Sequence, residues 1–213
     1  MLPECLPEWV LSTNRTRVLH CGAMILYPTE TVYGLGVNAL DPEEVEKLNI
    51  LKGRPEEKKL SWLVRSVDDI AEYAEVNDTA RAIISAFLPG PLTLVLQVNT
   101  HALEIPTVVD GRVRFRISPD PVTQALIERF MAEHNTPLTC TSANISGMPT
   151  LSTPHEILTQ FGERASLITE VIDDGPRQGT PSTVVGVFGS EVEVFREGAI
   201  TEQEIHEILD QRG

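Results

Sequence analysis

Short apolar runs alternating with amphipathic stretches constrain this chain more than any other feature. The runs AMILYP (23–28), LSWLV (60–64), LTLVLQV (92–98), VRFRI (113–117), PLTCTS (137–142), LITEVI (167–172), STVVGVF (182–188) and EVEVF (191–195) have the length and composition of strands. Helix-start signals lie between them. Asp41-Pro42 precedes EEVEKLNILK, Ser118 precedes DPVTQALIERFMAEH, Thr153-Pro154 opens HEILTQF, and Thr201 with Glu204 forms a capping box before IHEIL. Strands and helices in this alternation predict an α/β fold, a twisted open sheet flanked by helices. A hairpin around Gly189-Ser190 makes the sheet mixed rather than purely parallel. The 213 residues carry no internal repeat and no long Gly/Ser linker, so one domain spanning 1–213 is expected.

Charge narrows the function classes. Seventeen Lys and Arg stand against 31 Asp and Glu, a formal charge of -14, which opposes tight nonspecific binding to a phosphate backbone. With only 5% aromatic residues, stacking platforms for single strands are also scarce. A few placed cations can still line a pocket. No apolar run reaches membrane-spanning length, and the start MLPECLPEWVL lacks a basic leader region, so a cytoplasmic protein is expected. Cys5, Cys21 and Cys140 have no C-x-x-C spacing, and His20, His101, His134, His155 and His206 are scattered, so no protein-held metal site is expected.

Three segments concentrate chemistry. PTETVYGLGVNAL (28–40) packs Thr29, Thr31 and Tyr33 ahead of two glycines, which lets backbone and hydroxyls approach a ligand; a strand with a tight turn is the alternative. KGRP (52–55) follows an amphipathic helix, and Pro55 predicts an extended exit from which Lys52 and Arg54 reach one polyphosphate, unless they only complement the helix dipole. TSANISG (141–147) gathers short donors and acceptors at a strand end, the usual ligand position in an open α/β sheet, or else forms an ordinary hydroxyl-rich turn. Strand alternation places Arg114 and Arg116 on one face, opposite Val113, Phe115 and Ile117. In so acidic a chain, two arginines on one strand face predict a buried anionic ligand.

The order PTETVYGLG, KGRP, PGPLTLVL (89–96), the arginine strand, TSANISG, PSTVV (181–185) and FREGAI (195–200) resembles the YrdC/TsaC-type threonylcarbamoyl-adenylate synthases over nearly the whole chain. Both marker pairs of that family, Lys-x-Arg and Ser-x-Asn, are intact as Lys52, Arg54, Ser142 and Asn144. The resemblance implies a YrdC-like fold with a positively lined cavity, and a nucleotidyltransferase that makes threonylcarbamoyl-AMP and pyrophosphate from L-threonine, bicarbonate and ATP with magnesium. It assigns catalysis to Lys52 and Arg54, and ATP to Arg54, Lys58, Ser142, Asn144, Thr150 and Arg196. It assigns threonine to Thr31, Arg116 and Ser182. Downstream tRNA-modification proteins would take the adenylate for N6-threonylcarbamoyladenosine, and direct binding of tRNA or double-stranded RNA is expected to be weak. The chain departs from the family pattern at Lys58, Leu63, Arg112, Cys140, Pro181 and Gly186. The competing readings are an RNA-binding or a carbamoyltransferase-like paralogue on the same fold.

Overall fold

A computed structural model of the protein describes residues 22–54 and 60–211. Cys5, His20, Cys21, Pro55, Lys58 and Lys59 lie outside the described residues. Along the chain come β1 (Ile25–Tyr27), β2 (Gly34–Gly36), α1 (Pro42–Lys52), β3 (Ser61–Leu63), α2 (Val67–Tyr73), α3 (Asp78–Phe87), β4 (Leu92–Gln97) and β5 (Arg112–Arg116). The second half adds α4 (Pro121–His134), β6 (Leu138–Ser142), α5 (Pro154–Phe161), β7 (Glu170–Val171), β8 (Thr183–Phe188), β9 (Glu191–Arg196) and α6 (Glu202–Asp210). The nine strands form one sheet in the order β7-β1-β2-β6-β3-β5-β4-β8-β9. It is mixed: β1 with β7, β3 with β5 and β4 with β8 run parallel, and the remaining neighbours run antiparallel. The expected hairpin joins β8 to β9 through Gly189.

The period of two along each strand sorts side chains between the faces. Trp62, Phe115, Leu94 and Val185 point to one face, where Ile70, Ile83 and Ile205 of α2, α3 and α6 close a fully buried core. Trp62 anchors it, with Tyr73 and Phe115 meeting it edge-on at 5.1 and 5.7 Å and its indole N–H donating to Thr107 Oγ1 at 2.7 Å. Leu26 and Leu35 bury with Leu48 and Leu51 of α1 and Ile157 and Phe161 of α5. On the opposite face Tyr27, Leu63 and Leu138 pack with Leu126, Ile127 and Phe130 of α4. That core explains the departure at Leu63, which is fully buried. Farther along this face, beyond α4, the strands turn Ser61, Thr93, Arg114 and Arg116 into a cavity.

Local chemistry sets the boundaries, with one difference from expectation. The cap of α4 is Asp120, whose carboxylate accepts from Val122 N and Thr123 N at 3.0 Å, because Ser118 is drawn away to bond Glu30. Gly34 and Gly36 lie inside β2, after a turn at 29–32, in keeping with the reading of a strand with a tight turn. Gly36 is forced by close approach: a Cβ there would lie 2.6 Å from Leu138 Cγ and 2.9 Å from the Thr139 carbonyl oxygen. Among the described residues no helix is long and apolar enough to cross a membrane.

Gly36→Ala should therefore destabilise the fold by roughly 1–3 kcal/mol through overpacking, read as a lower urea midpoint at unchanged slope. Adding Leu138→Ala should not restore the parent value, since the Thr139 carbonyl remains in the way and a cavity opens; full recovery would contradict the close β2–β6 approach.

Candidate active site

The cavity of about 440 Å³ is within the range of small-molecule sites, and its wall includes Thr31, Arg116, Ser142, Thr150, Ser182 and Arg196. Six residues assigned from sequence thus converge from four regions of the chain. Arg54, Lys52 and Asn144 do not line it among the described residues, and Lys58 is not described. Arg114 and Tyr33, singled out from sequence as an anion-facing arginine and a ligand-facing hydroxyl, line it too, and Thr93 and Ser61 line it without having been singled out.

The turn after β1 is organised by one hydroxyl. Thr29 Oγ1 donates to Val32 O at 2.6 Å and accepts from the Thr31 and Val32 amides at 3.2 and 3.3 Å, so it stands in for a backbone turn partner. That fixes Thr31, whose hydroxyl lies 3.0 Å from that of Thr29. The segment 173–181 crosses over this turn: Gly179 N donates to Thr31 O at 2.7 Å, and Arg177 ties Thr29 O to Asp120 and Asp174. It delivers Ser182 to the far wall, where its hydroxyl lies 2.8 Å from Thr93 Oγ1. Arg196 reaches back from the end of β9 to donate to Ser182 O at 2.7 Å.

Arg116 is 7% exposed and bonds Glu30 through Nη2, while Ser118 Oγ donates to the other carboxylate oxygen. Burial disfavours its charge, but the acidic groups beside it, the Cys140 thiol and then the Glu30 carboxylate that it bonds, outweigh that and raise its pKa. Its Nε has no hydrogen-bond partner among the described residues, which leaves donor capacity for a further acceptor. Arg114 and Arg196 have lowered pKa values, first from burial and second from another guanidinium, Arg196 acting on Arg114 and Arg116 on Arg196. Sequence reasoning missed Glu30, because nothing in PTET announces a partner 86 residues away.

KGRP does not form the extended exit expected of it. Lys52 is still in the last turn of α1, and Gly53 caps the helix in the left-handed region at φ 59°, turning the chain before Arg54. The Lys52 ammonium, in a side chain 3% exposed, donates to the carbonyl oxygens of Ser142 and Asn144, the latter at 2.8 Å. Asn144 holds the same loop from inside: Oδ1 accepts from Ser142 Oγ at 2.6 Å and Nδ2 donates to Met148 O at 2.6 Å. Lysine and Ser-x-Asn thus form one framework that presents Ser142 to the cavity. Arg54 donates from Nε to Asn49 Oδ1 at 2.7 Å, keeps Nη2 unpartnered among the described residues, and has its pKa lowered by burial to about 10. No group of three or more His, Cys, Asp or Glu among the described residues could hold a metal ion.

Residues 17–198 match the Sua5/YciO/YrdC family profile, described as telomere recombination. A putative threonylcarbamoyl-AMP synthase of Methanocaldococcus jannaschii is 35% identical over 197 residues, 92% of this chain and 89% of that protein. The structure of Pyrococcus abyssi Sua5 complexed with L-threonine superposes with a TM-score of 0.77 at 31% identity, covering 88% of this chain. The chain spans about half of that protein, 54%. Escherichia coli YciO shares the fold, with a TM-score of 0.73 at 24% identity over 86% of this chain and 87% of its own.

Lys52→Met should remove the loop's anchor and take the ammonium donor from the Asn144 carbonyl, while Ser142 O keeps the Asn144 amide, at a cost of roughly 1–3 kcal/mol. Hydrogen exchange at residues 141–148 should quicken before that of the rest of the sheet. Unchanged loop protection together with lost nucleotide binding would show that the ammonium serves the ligand directly.

Proposed function

The chain belongs to the Sua5/YciO/YrdC family, and from that membership we propose that it is an L-threonylcarbamoyladenylate synthase. The reaction takes L-threonine, bicarbonate and ATP to threonylcarbamoyl-AMP, pyrophosphate and water, for N6-threonylcarbamoyladenosine modification of tRNA by downstream proteins in the cytoplasm. The observation that carries this reading is a single cavity in which a buried arginine with spare donor capacity faces threonine and serine hydroxyls, beside two more arginines.

The chemistry needs alignment of anions and no enzyme nucleophile. The threonine amine captures bicarbonate as an N-carboxylate, this carboxylate attacks the α-phosphate, and pyrophosphate leaves. Arg116 holds the threonine carboxylate, a planar fork on a planar anion, with Thr31 and Ser182 as hydroxyl partners. Fixing the amino acid on one wall and the nucleotide on Ser142, Thr150 and Arg196 converts the attack into a step between positioned groups. Arg54, whose Nη2 has no hydrogen-bond partner among the described residues, and Lys58 extend the ATP site. Lys52 and Asn144 act by holding the Ser142 loop in place. Charge that builds on the phosphates is met by guanidiniums already fixed in a part-buried wall. Magnesium enters as part of the nucleotide substrate, carried by phosphate oxygens and water, as this ion commonly is.

Purified protein with MgATP should release pyrophosphate only when both L-threonine and bicarbonate are present. Arg116→Lys should weaken threonine binding by about one to two decades, the value of a charge-assisted bidentate contact, and ATP binding far less. Equal turnover without threonine would contradict the assignment and favour a carbamoyltransferase-like paralogue.

A further inference from the structure

Strand β5 sends three arginines to the cavity side of the sheet, and among the described residues only the middle one lacks a compensating partner. The Arg112 guanidinium lies over the Phe188 ring, 3.9 Å from its centroid. Arg116 is bonded to Glu30. Arg114 lines the cavity half-buried and makes no hydrogen bond or ion pair with any described residue. The charged group that acts on it is a second cation, Arg196. Arg196 donates only to Ser182 O and Oγ and pairs with no described carboxylate.

Arg114 and Arg196 line one cavity, and like charges in a partly desolvated wall repel more strongly than in water. The chain has 31 acidic residues from which to neutralise them, yet none of the described ones does so. An arrangement that costs stability in the free protein is accounted for by an anion that enters between the two arginines. Their number and forked geometry suit adjacent phosphoryl groups, each able to accept two parallel N–H bonds.

We propose that Arg114 and Arg196 form a two-arginine subsite for the pyrophosphate portion of the nucleotide, binding it in ATP and stabilising it as it leaves. The anion site follows from the arrangement of side chains; naming the anion as the leaving group of ATP rests on the function proposed above. Arg114 is then a binding residue outside the Lys-x-Arg and Ser-x-Asn pairs, supplied by the strand that also carries Arg116.

The test uses the full chain and inorganic pyrophosphate, with AMP and L-threonine as controls, by calorimetry alongside thermal melting. Arg114→Gln should weaken pyrophosphate about ten- to hundredfold, as loss of a charge-assisted contact does, and leave AMP and threonine affinities unchanged. Its melting temperature should equal or exceed the parent's, because a like-charge contact has been removed. Arg114→Lys, which keeps the charge and loses the fork, should bind pyrophosphate with intermediate affinity. Parent-like pyrophosphate affinity in Arg114→Gln would overturn the proposal. So would an AMP affinity that falls as far as that of pyrophosphate, or a lowered melting temperature with all three ligands weakened together. Pyrophosphate binding through Arg114 in a protein that makes no threonylcarbamoyl-AMP would leave the subsite standing and contradict only the proposed function.

Discussion

A guanidinium held more than nine-tenths out of water needs an acceptor, and the rest of the site depends on the one that Arg116 finds in Glu30. The pair joins β5 to the turn after β1, and Ser118, bonded to the same carboxylate, extends the tie to the chain entering α4. Thr123 in the first turn of α4 then donates to Pro28 O, closing the loop of contacts. Losing one member of such a pair commonly costs about 3–5 kcal/mol, because a buried charge is left uncompensated. Function and stability therefore meet at this contact. The carboxylate that keeps Arg116 folded in place also fixes the direction in which its remaining donors are presented.

Charge is distributed unevenly for a physical reason. The surface is acidic, with a formal charge of -14, while the cavity wall carries Arg114, Arg116 and Arg196. Glu30 compensates one of these guanidiniums, and the others remain available to anions. Bulk repulsion disfavours long polyanions, and the local field favours a small one that fits inside. The cations in the wall are arginines, whose forks match carboxylates and phosphates. The one buried lysine among the described residues, Lys52, supports a loop instead, where a compact ammonium with three donors suits converging carbonyls.

Much of this fold was legible because its strands are apolar runs with sharp limits. The β8–β9 hairpin and with it the mixed sheet followed from the turn signal at Gly189-Ser190, and the opposite faces of Arg114/Arg116 and Val113/Phe115 from a period of two. Segments whose signal is a packing contact were less visible. The need for glycine in β2 shows only when Leu138 and the Thr139 carbonyl are seen pressing on Gly36. α2 and α3 are announced mainly by single caps, Ser66 and Asn77, and are 7 and 10 residues long. In the site, the arginines and hydroxyls stood out by residue type. Glu30 and Thr93 did not, since each acts through a partner that is distant in sequence, Arg116 and Ser182. Lys52, Arg54, Ser142 and Asn144 were grouped in the sequence only as two marker pairs, and the contacts that tie Lys52 and Asn144 to Ser142 come from the fold.

A crystal structure of the protein with L-threonine and a non-hydrolysable ATP analogue is the most direct measurement. The account predicts the threonine carboxylate on Arg116, its side chain between Thr31 and Ser182, and the phosphates along Arg196 with Ser142 on the nucleotide side. Threonine bound away from Arg116, or a nucleotide outside the cavity wall, would contradict it.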